Sequence, residues 1–149
     1  MKRIIVLDSS PLGLISNPKP NSLASLCQAW VTALEVAGHR IIVPEIVDYE
    51  IRRELIRAGK TRSLLQLDFV ISRFEYLPLT TIAMKLAAEL WATARHGGIQ
   101  TASNISLDID VILAAQALSL NDPAVVIATE NVNHLSRFTS AEDWRSIAP

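Results

Sequence analysis

Short apolar runs alternate along this chain with longer stretches of helical period. Ile4 to Leu7, Arg40 to Val43 and Ala124 to Ala128 are rich in β-branched residues and bounded by polar ones, as buried strands are. Ser22 to Ala37 has helical spacing, with Leu23, Leu26, Trp30 and Leu34 on one face and Gly38 as its stop. Glu45 to Ala58 reads as a helix closed by Gly59, with Pro44 in its first turn. Thr61 to Phe74 reads as another. Thr80 to Arg95 is amphipathic and ends at Gly97 and Gly98. Asp110 to Leu120 is almost wholly apolar, so it predicts a buried helix.

The remaining segments carry weaker signals. Ser9 to Asn21, with three prolines and a glycine, reads as a loop. Tyr76 to Leu79 suits a short edge strand, because its proline cannot donate to a ladder. A polar loop is expected up to Ser106, and a short terminal helix over Ser140 to Ile147, capped by Ser140. Strands alternating with helices predict an α/β fold with a mostly parallel sheet. Across 149 residues there is no repeat and no linker, so residues 1–149 read as a single domain.

Composition narrows this further. Half the residues are hydrophobic, enough for a sizeable core. A net charge of −1 argues against a tight nonspecific DNA binder, yet leaves room for an enzyme that holds RNA through a local basic patch and metal ions. Cys27 is the only cysteine, so no intrachain disulfide can form, and it reads as a small buried apolar residue. The first apolar run stops at Asp8, too short for a signal peptide. No run approaches the ~20 residues of a membrane span. A cytoplasmic protein with no membrane attachment is expected.

The candidate chemistry lies where strands hand over to helices: Asp8, Glu50, Asp110 and Asn131. The carboxyl ends of parallel strands form the ligand crevice of such sheets. Each residue also has a structural reading. Asp8 suits a turn or cap, and Glu50 a salt-bridged face with Arg53, Glu54 and Arg57. Asp110 suits a helix N-cap, and Asn131 a turn. Asp108, two residues before Asp110, adds a repulsion that a cation between them would relieve. Thr129 and Glu130 also follow the third strand. These donors are all oxygen, which suits Mg²⁺ or Mn²⁺. His39, His96 and His134 have no zinc-ligand spacing. Arg52, Arg53, Arg57, Lys60 and Arg62 form the densest basic cluster, suited to phosphate contacts, a solvated face or a protein-docking surface. Trp30 and Trp91 fall on amphipathic helices, where core packing is expected over base stacking.

Five segments in order are similar to the PIN-domain ribonuclease family, which includes the VapC-type toxins of toxin–antitoxin pairs. IIVLDSSPL resembles the opening strand and its metal-binding aspartate. IIVPEIVDYEIRREL resembles the second strand and glutamate-bearing helix. YLPLTTIAMKLAAELWATARHGG resembles the helix before the active-site loop, and SLDIDVILAAQAL the central aspartate helix. VVIATENVNHLSRF resembles the last strand and its T-x-[DN]-x-x-D-F turn.

The resemblance implies metal-dependent hydrolysis of RNA phosphodiesters to 5′-phosphate and 3′-hydroxyl products. It places Asp8, Glu50 and Asp110 as the principal acids, Asn131 at the fourth corner and Asp108 as an extra acid. Thr129 and Ser10 stand as supporting hydroxyls. It also implies an RNA substrate, a cognate antitoxin and a homodimer. His134 stands where many members carry a second aspartate, and Leu135 replaces the usual phenylalanine. These departures leave an alternative: a catalytically weak or inactive PIN-like module binding RNA or a protein partner. A haloacid-dehalogenase-like reading wants an aspartate where Ser10 stands, and no Walker A or G-x-G-x-x-G loop is present.

Overall fold

The computed structural model describes residues 1–97 and 104–149. Five strands, β1 (Ile4–Leu7), β2 (Arg40–Pro44), β3 (Glu75–Leu77), β4 (Val125–Thr129) and β5 (Ala141–Asp143), form one sheet. Every pairing is parallel, in the order β3-β2-β1-β4-β5. All residues of β1 and β4 are buried, as continuous apolar strands covered on both faces should be. The chain builds outward from β1 through β2 to β3, then crosses to the other side for β4 and β5. The sheet therefore reverses its winding between β1 and β4, the place where doubly wound folds open a crevice at their carboxyl ends.

The helices are α1 (Ser9–Ile15), α2 (Ser22–Val36), α3 (Glu45–Arg57), α4 (Thr61–Arg73), α5 (Thr81–His96), α6 (Asn104–Leu118) and α7 (Val132–Leu135). The main core joins β1, β2 and β4 to α1, α2, α3 and α6. A smaller core lies between α5 and α6, where Ala83, Ala87 and Ala94 let the helices approach closely against Leu107, Val111 and Ala115. Buried Gln116 on α6 accepts from the Ile46 N–H at 3.2 Å and donates to the Leu77 carbonyl at 2.8 Å. One amide thus satisfies backbone groups at a helix start and an edge-strand end. Among the described residues, no helix is long and apolar enough to cross a membrane.

Several expectations are corrected. The segment after Asp8 is a helix, α1, rather than a loop. Pro11 lies in its first turn, where a missing N–H costs nothing, and Asp8 caps it. On α2 the buried face is Ala24, Cys27, Val31 and Leu34, while Leu23 and Leu26 stay exposed. The stripe is thus shifted by one residue, because small Ala24 and Cys27 sit closest to the core. Asp110 does not open its helix. α6 begins at Asn104, so the Asp110 side chain lies two turns in and is no N-cap. The expected polar loop before Ser106 gives way to helix from Asn104, and Gly98 and the rest of that loop lie outside the described residues. The terminal segment is mainly a strand, β5, followed by one 3-10 turn (Trp144–Ser146). It completes the hydrogen bonds along the open edge of β4.

Candidate active site

Asp8, Ser9, Ser10, Glu50, Ser106, Ile109, Asp110, Glu130, Asn131 and His134 line one concavity of about 400 Å³. It lies at the carboxyl ends of β1 and β4. Asp8 directly follows β1, Glu50 is one turn into α3, Asp110 faces inward from α6, Asn131 stands at the N-cap of α7 and His134 lies within it. The structure thus gathers Asp8, Glu50, Asp110, Asn131 and Ser10 around one space.

Asp8 is held from two sides. The Ser9 N–H donates to Oδ1 at 2.6 Å, and Thr129 Oγ1 donates to Oδ2 at 2.7 Å. Thr129 is fully buried and accepts from the Asn131 N–H at 2.8 Å, so one hydroxyl links the ends of β1 and β4 to the turn beyond. Ser10 Oγ accepts from the Glu130 N–H at 3.1 Å. Burial pushes the Asp8 carboxyl up, against the pull of these hydrogen bonds. Glu50 is raised by burial and by the charge of Asp8, with Ser9 and Arg53 opposing. Asp110 is pushed up to about 6 by burial, then by Asp8 and Glu50, with only Arg137 pulling the other way. Arg137 carries no signal in the sequence beyond its place three residues after His134. Its guanidinium stacks over Phe138, and its Nε donates to the His134 carbonyl at 3.0 Å.

Two carboxylate oxygens here are buried and without a partner: Glu50 Oε1 and Asp110 Oδ2. Unpaired buried acceptors are costly and rare, and three mutually repelling carboxyls compound the cost. Among the described residues, no three His, Cys, Asp or Glu side chains are drawn together closely enough to hold a metal ion as they stand. The donor set nevertheless fits a hard divalent cation: oxygen donors, net negative charge and two orphaned oxygens that a cation would satisfy.

Other candidates fall elsewhere. Asp108 and Asp110 are two residues apart on α6, about 200° around the helix. Asp108 is exposed and lines a different concavity with Met84 and Trp91. The expected cation between them therefore has no geometric basis. Arg52 is engaged by Asp48 and by Asp68 at 2.7 Å, and Arg57 by Glu54 at 2.9 Å. Arg53 stacks on the Tyr49 ring. The basic side chains of this region left without a partner are Lys60 and Arg62, and they share a separate cavity of about 520 Å³ with Lys19. Trp144 is buried and packs on Trp30 at 5.4 Å, whereas Trp91 is 37% exposed beneath Arg95. Glu130 reaches back to Trp144 Nε1 at 3.2 Å. Cys27 is buried, and burial pushes its thiol up to about 12, which leaves it inert.

No curated protein sequence matches the chain. Several solved structures share its fold. VapBC2 from Rickettsia felis, bound to a DNA fragment from its promoter, matches at 19% identity and a TM-score of 0.70, covering 95% of this chain and 98% of that one. FitAcB from Neisseria gonorrhoeae matches at 20% and 0.71, covering 97% and 100%. DNA-bound VapBC from Salmonella typhimurium matches at 21% and 0.65, covering 97% and 99%. The PIN-domain profile matches residues 5–137, from β1 through the turn that carries Asn131 and His134. With its five parallel strands and with Asp8, Glu50 and Asp110 at one crevice, the chain belongs to the PIN-domain family.

Proposed function

We propose that the protein is a divalent-metal-dependent endoribonuclease that hydrolyses RNA phosphodiester bonds, and that it is the toxin of a toxin–antitoxin pair. One observation carries the reading. Three carboxylates from three separate elements share a crevice at the winding reversal of the sheet, with Glu50 Oε1 and Asp110 Oδ2 buried and unpartnered. Stability alone does not favour such an arrangement, so it is kept for a ligand that arrives.

Asp8, Asp110 and Glu50 would hold the cation, Mg²⁺ or Mn²⁺, with Asn131 at the rim. An ion held by these residues would supply an activated water and an offset for charge developing on the phosphate. Thr129 fixes the Asp8 carboxylate through its 2.7 Å hydrogen bond, and Ser9 holds the other oxygen. Ser10 accepts from the Glu130 backbone N–H and so ties the start of α1 to the residue after β4. The similarity to VapBC structures supports an antitoxin as partner. Exposed Leu65 and Phe69, one turn apart on α4, support a protein contact, with an antitoxin or a second copy of the chain.

The absence of a ready-assembled ligand set among the described residues favours a second reading, a weak or inactive PIN module that binds RNA or protein. The deciding experiment is incubation of a mixed single-stranded RNA pool with purified protein in Mn²⁺ or in EDTA. Metal-dependent cutting that Asp110→Asn lacks is the expected result. A folded protein that cuts nothing rejects the nuclease, and an equally active Asp110→Asn rejects the proposed metal site.

A further inference from the structure

His134 brings the sole imidazole into a pocket otherwise ringed by oxygen and amide groups. Asp8, Glu50, Asp110 and Glu130 offer acceptors only when ionised. A phosphodiester entering that space carries charged non-bridging oxygens, which need donors. The carboxylates repel them.

Asn131 Nδ2 lies 3.0 Å from His134 Nδ1, a contact that is a hydrogen bond in the tautomer whose Nδ1 accepts. In that tautomer the ring proton sits on Nε2. Asp110 Oδ2, at 3.9 Å from Nδ1, is beyond hydrogen-bond reach and does not claim the ring. No described residue bonds Nε2. The side chain is 39% exposed, at the mouth of the pocket rather than its floor. Its backbone is anchored by fully buried Leu135 on one side and by the Arg137 bond to its carbonyl on the other. An imidazole with a free ring nitrogen therefore stands at the rim of an acidic pocket.

We propose that His134 binds the scissile phosphodiester, donating its Nε2–H to a non-bridging oxygen, and that Asn131 is the positioning residue that sets the tautomer. This rests on the ribonuclease reading above and gives that site its substrate-binding donor. His134 acts as a hydrogen-bond donor, outside the set that holds the metal.

The test compares wild-type protein with His134→Ala, His134→Gln and His134→Asp. Binding of Mn²⁺ alone is measured by calorimetry, and cleavage of a single-stranded RNA is measured for KM and kcat. Mn²⁺ affinity stays within about twofold in the alanine and glutamine variants. His134→Ala loses roughly 10- to 100-fold in kcat/KM, mostly through KM, the loss expected for one hydrogen bond to a charged group. Glutamine, which keeps an N–H at similar reach, recovers most of it. Aspartate, which adds a charge against the phosphate, falls below alanine.

In ¹⁵N-labelled protein the imidazole shifts report the Nε2–H form, and Asn131→Leu loses that preference. A wild-type ring protonated on Nδ1 overturns the proposal. So does weakened Mn²⁺ binding in His134→Ala, or an aspartate variant as active as wild type; either assigns the residue to the metal instead. Wild-type cleavage matched by His134→Ala removes this assignment alone. Wild-type protein that binds Mn²⁺ and cuts no RNA removes the ribonuclease reading, and this assignment falls with it.

Discussion

Asp48 and Glu50 lie two residues apart on α3. Asp48 accepts from Arg52 at 3.0 Å and from the Tyr76 hydroxyl at 2.9 Å, and through Arg52 it joins Asp68 on α4. Glu50 has a buried oxygen that nothing bonds, and its nearest strong influence is another carboxylate, Asp8. On α6 the contrast is one of exposure: Asp108, left to solvent, is followed two residues later by Asp110, half hidden and raised to about 6. A step of two residues turns a helical side chain to the opposite face. The outer face meets its electrostatic needs in partners, as Asp48 does, or in solvent, as Asp108 does. The other leaves them unmet, and what it lacks is positive charge.

Asp110→Asn should break the contrast most sharply. Cleavage falls by more than the roughly 10- to 100-fold typical of losing a group that only orients a ligand. The metal-free fold, by contrast, gains. Asp110 titrates near 6 in the folded protein, against an ordinary value of 3.8. A carboxyl raised on folding takes stability away as it ionises, so the wild type weakens between about pH 4 and 6 and stays weakened above. The variant carries no such deficit. Its melting temperature exceeds the wild type by about 2–4 °C at pH 7, and the gap narrows towards pH 4. A melting series across that range checks it, and a variant less stable than wild type at pH 7 contradicts the repulsion.

Thr129→Val comes next. It removes the donor to Asp8 and the acceptor for the Asn131 N–H while keeping the shape of the side chain. Activity drops roughly 10- to 100-fold, measured as kcat/KM on RNA. Adding Mn²⁺ to wild-type protein at pH 7 raises its melting temperature with concentration, because the ion binds only the folded state. In Asp110→Asn that rise is reduced or gone. Asp48→Asn, on the paired face, leaves cleavage unchanged and costs only about 1 kcal/mol by urea unfolding. Asp108→Asn changes neither activity nor metal-dependent melting; a loss of Mn²⁺ response there would return Asp108 to the site.

Reading these faces from sequence succeeds where one residue decides its own surroundings. Asp8 follows a run of four buried residues and can only sit at a strand end. Glu50 and Asp110 follow from the order of elements and from resemblance, since neither shows its orientation in local pattern. Asp108 illustrates the limit. Without the true start of α6, two aspartates in the segment DID look like neighbours, although the helix turns them apart. The arginines after Glu50 look like a basic patch because sequence lists charges without their partners, and Asp68 and Glu54 cancel two of them in space. The misread ends of the fold share a cause. α1 hides behind three prolines, and β5 is three residues long, so the open edge of β4 reveals it and its own composition does not.

The hydrogen bond from Thr129 to Asp8 spans 121 residues of chain. During synthesis β1 emerges first, yet it stands at the middle of the sheet and must wait for β4 before its second edge is covered. At a growth rate of ~5–20 residues per second, that wait is on the order of ten seconds. For most of it Asp8 has neither Asp110 nor Thr129 beside it. For a protein proposed to cut RNA, topology thus delays the complete acidic set until α6 and β4 have been made.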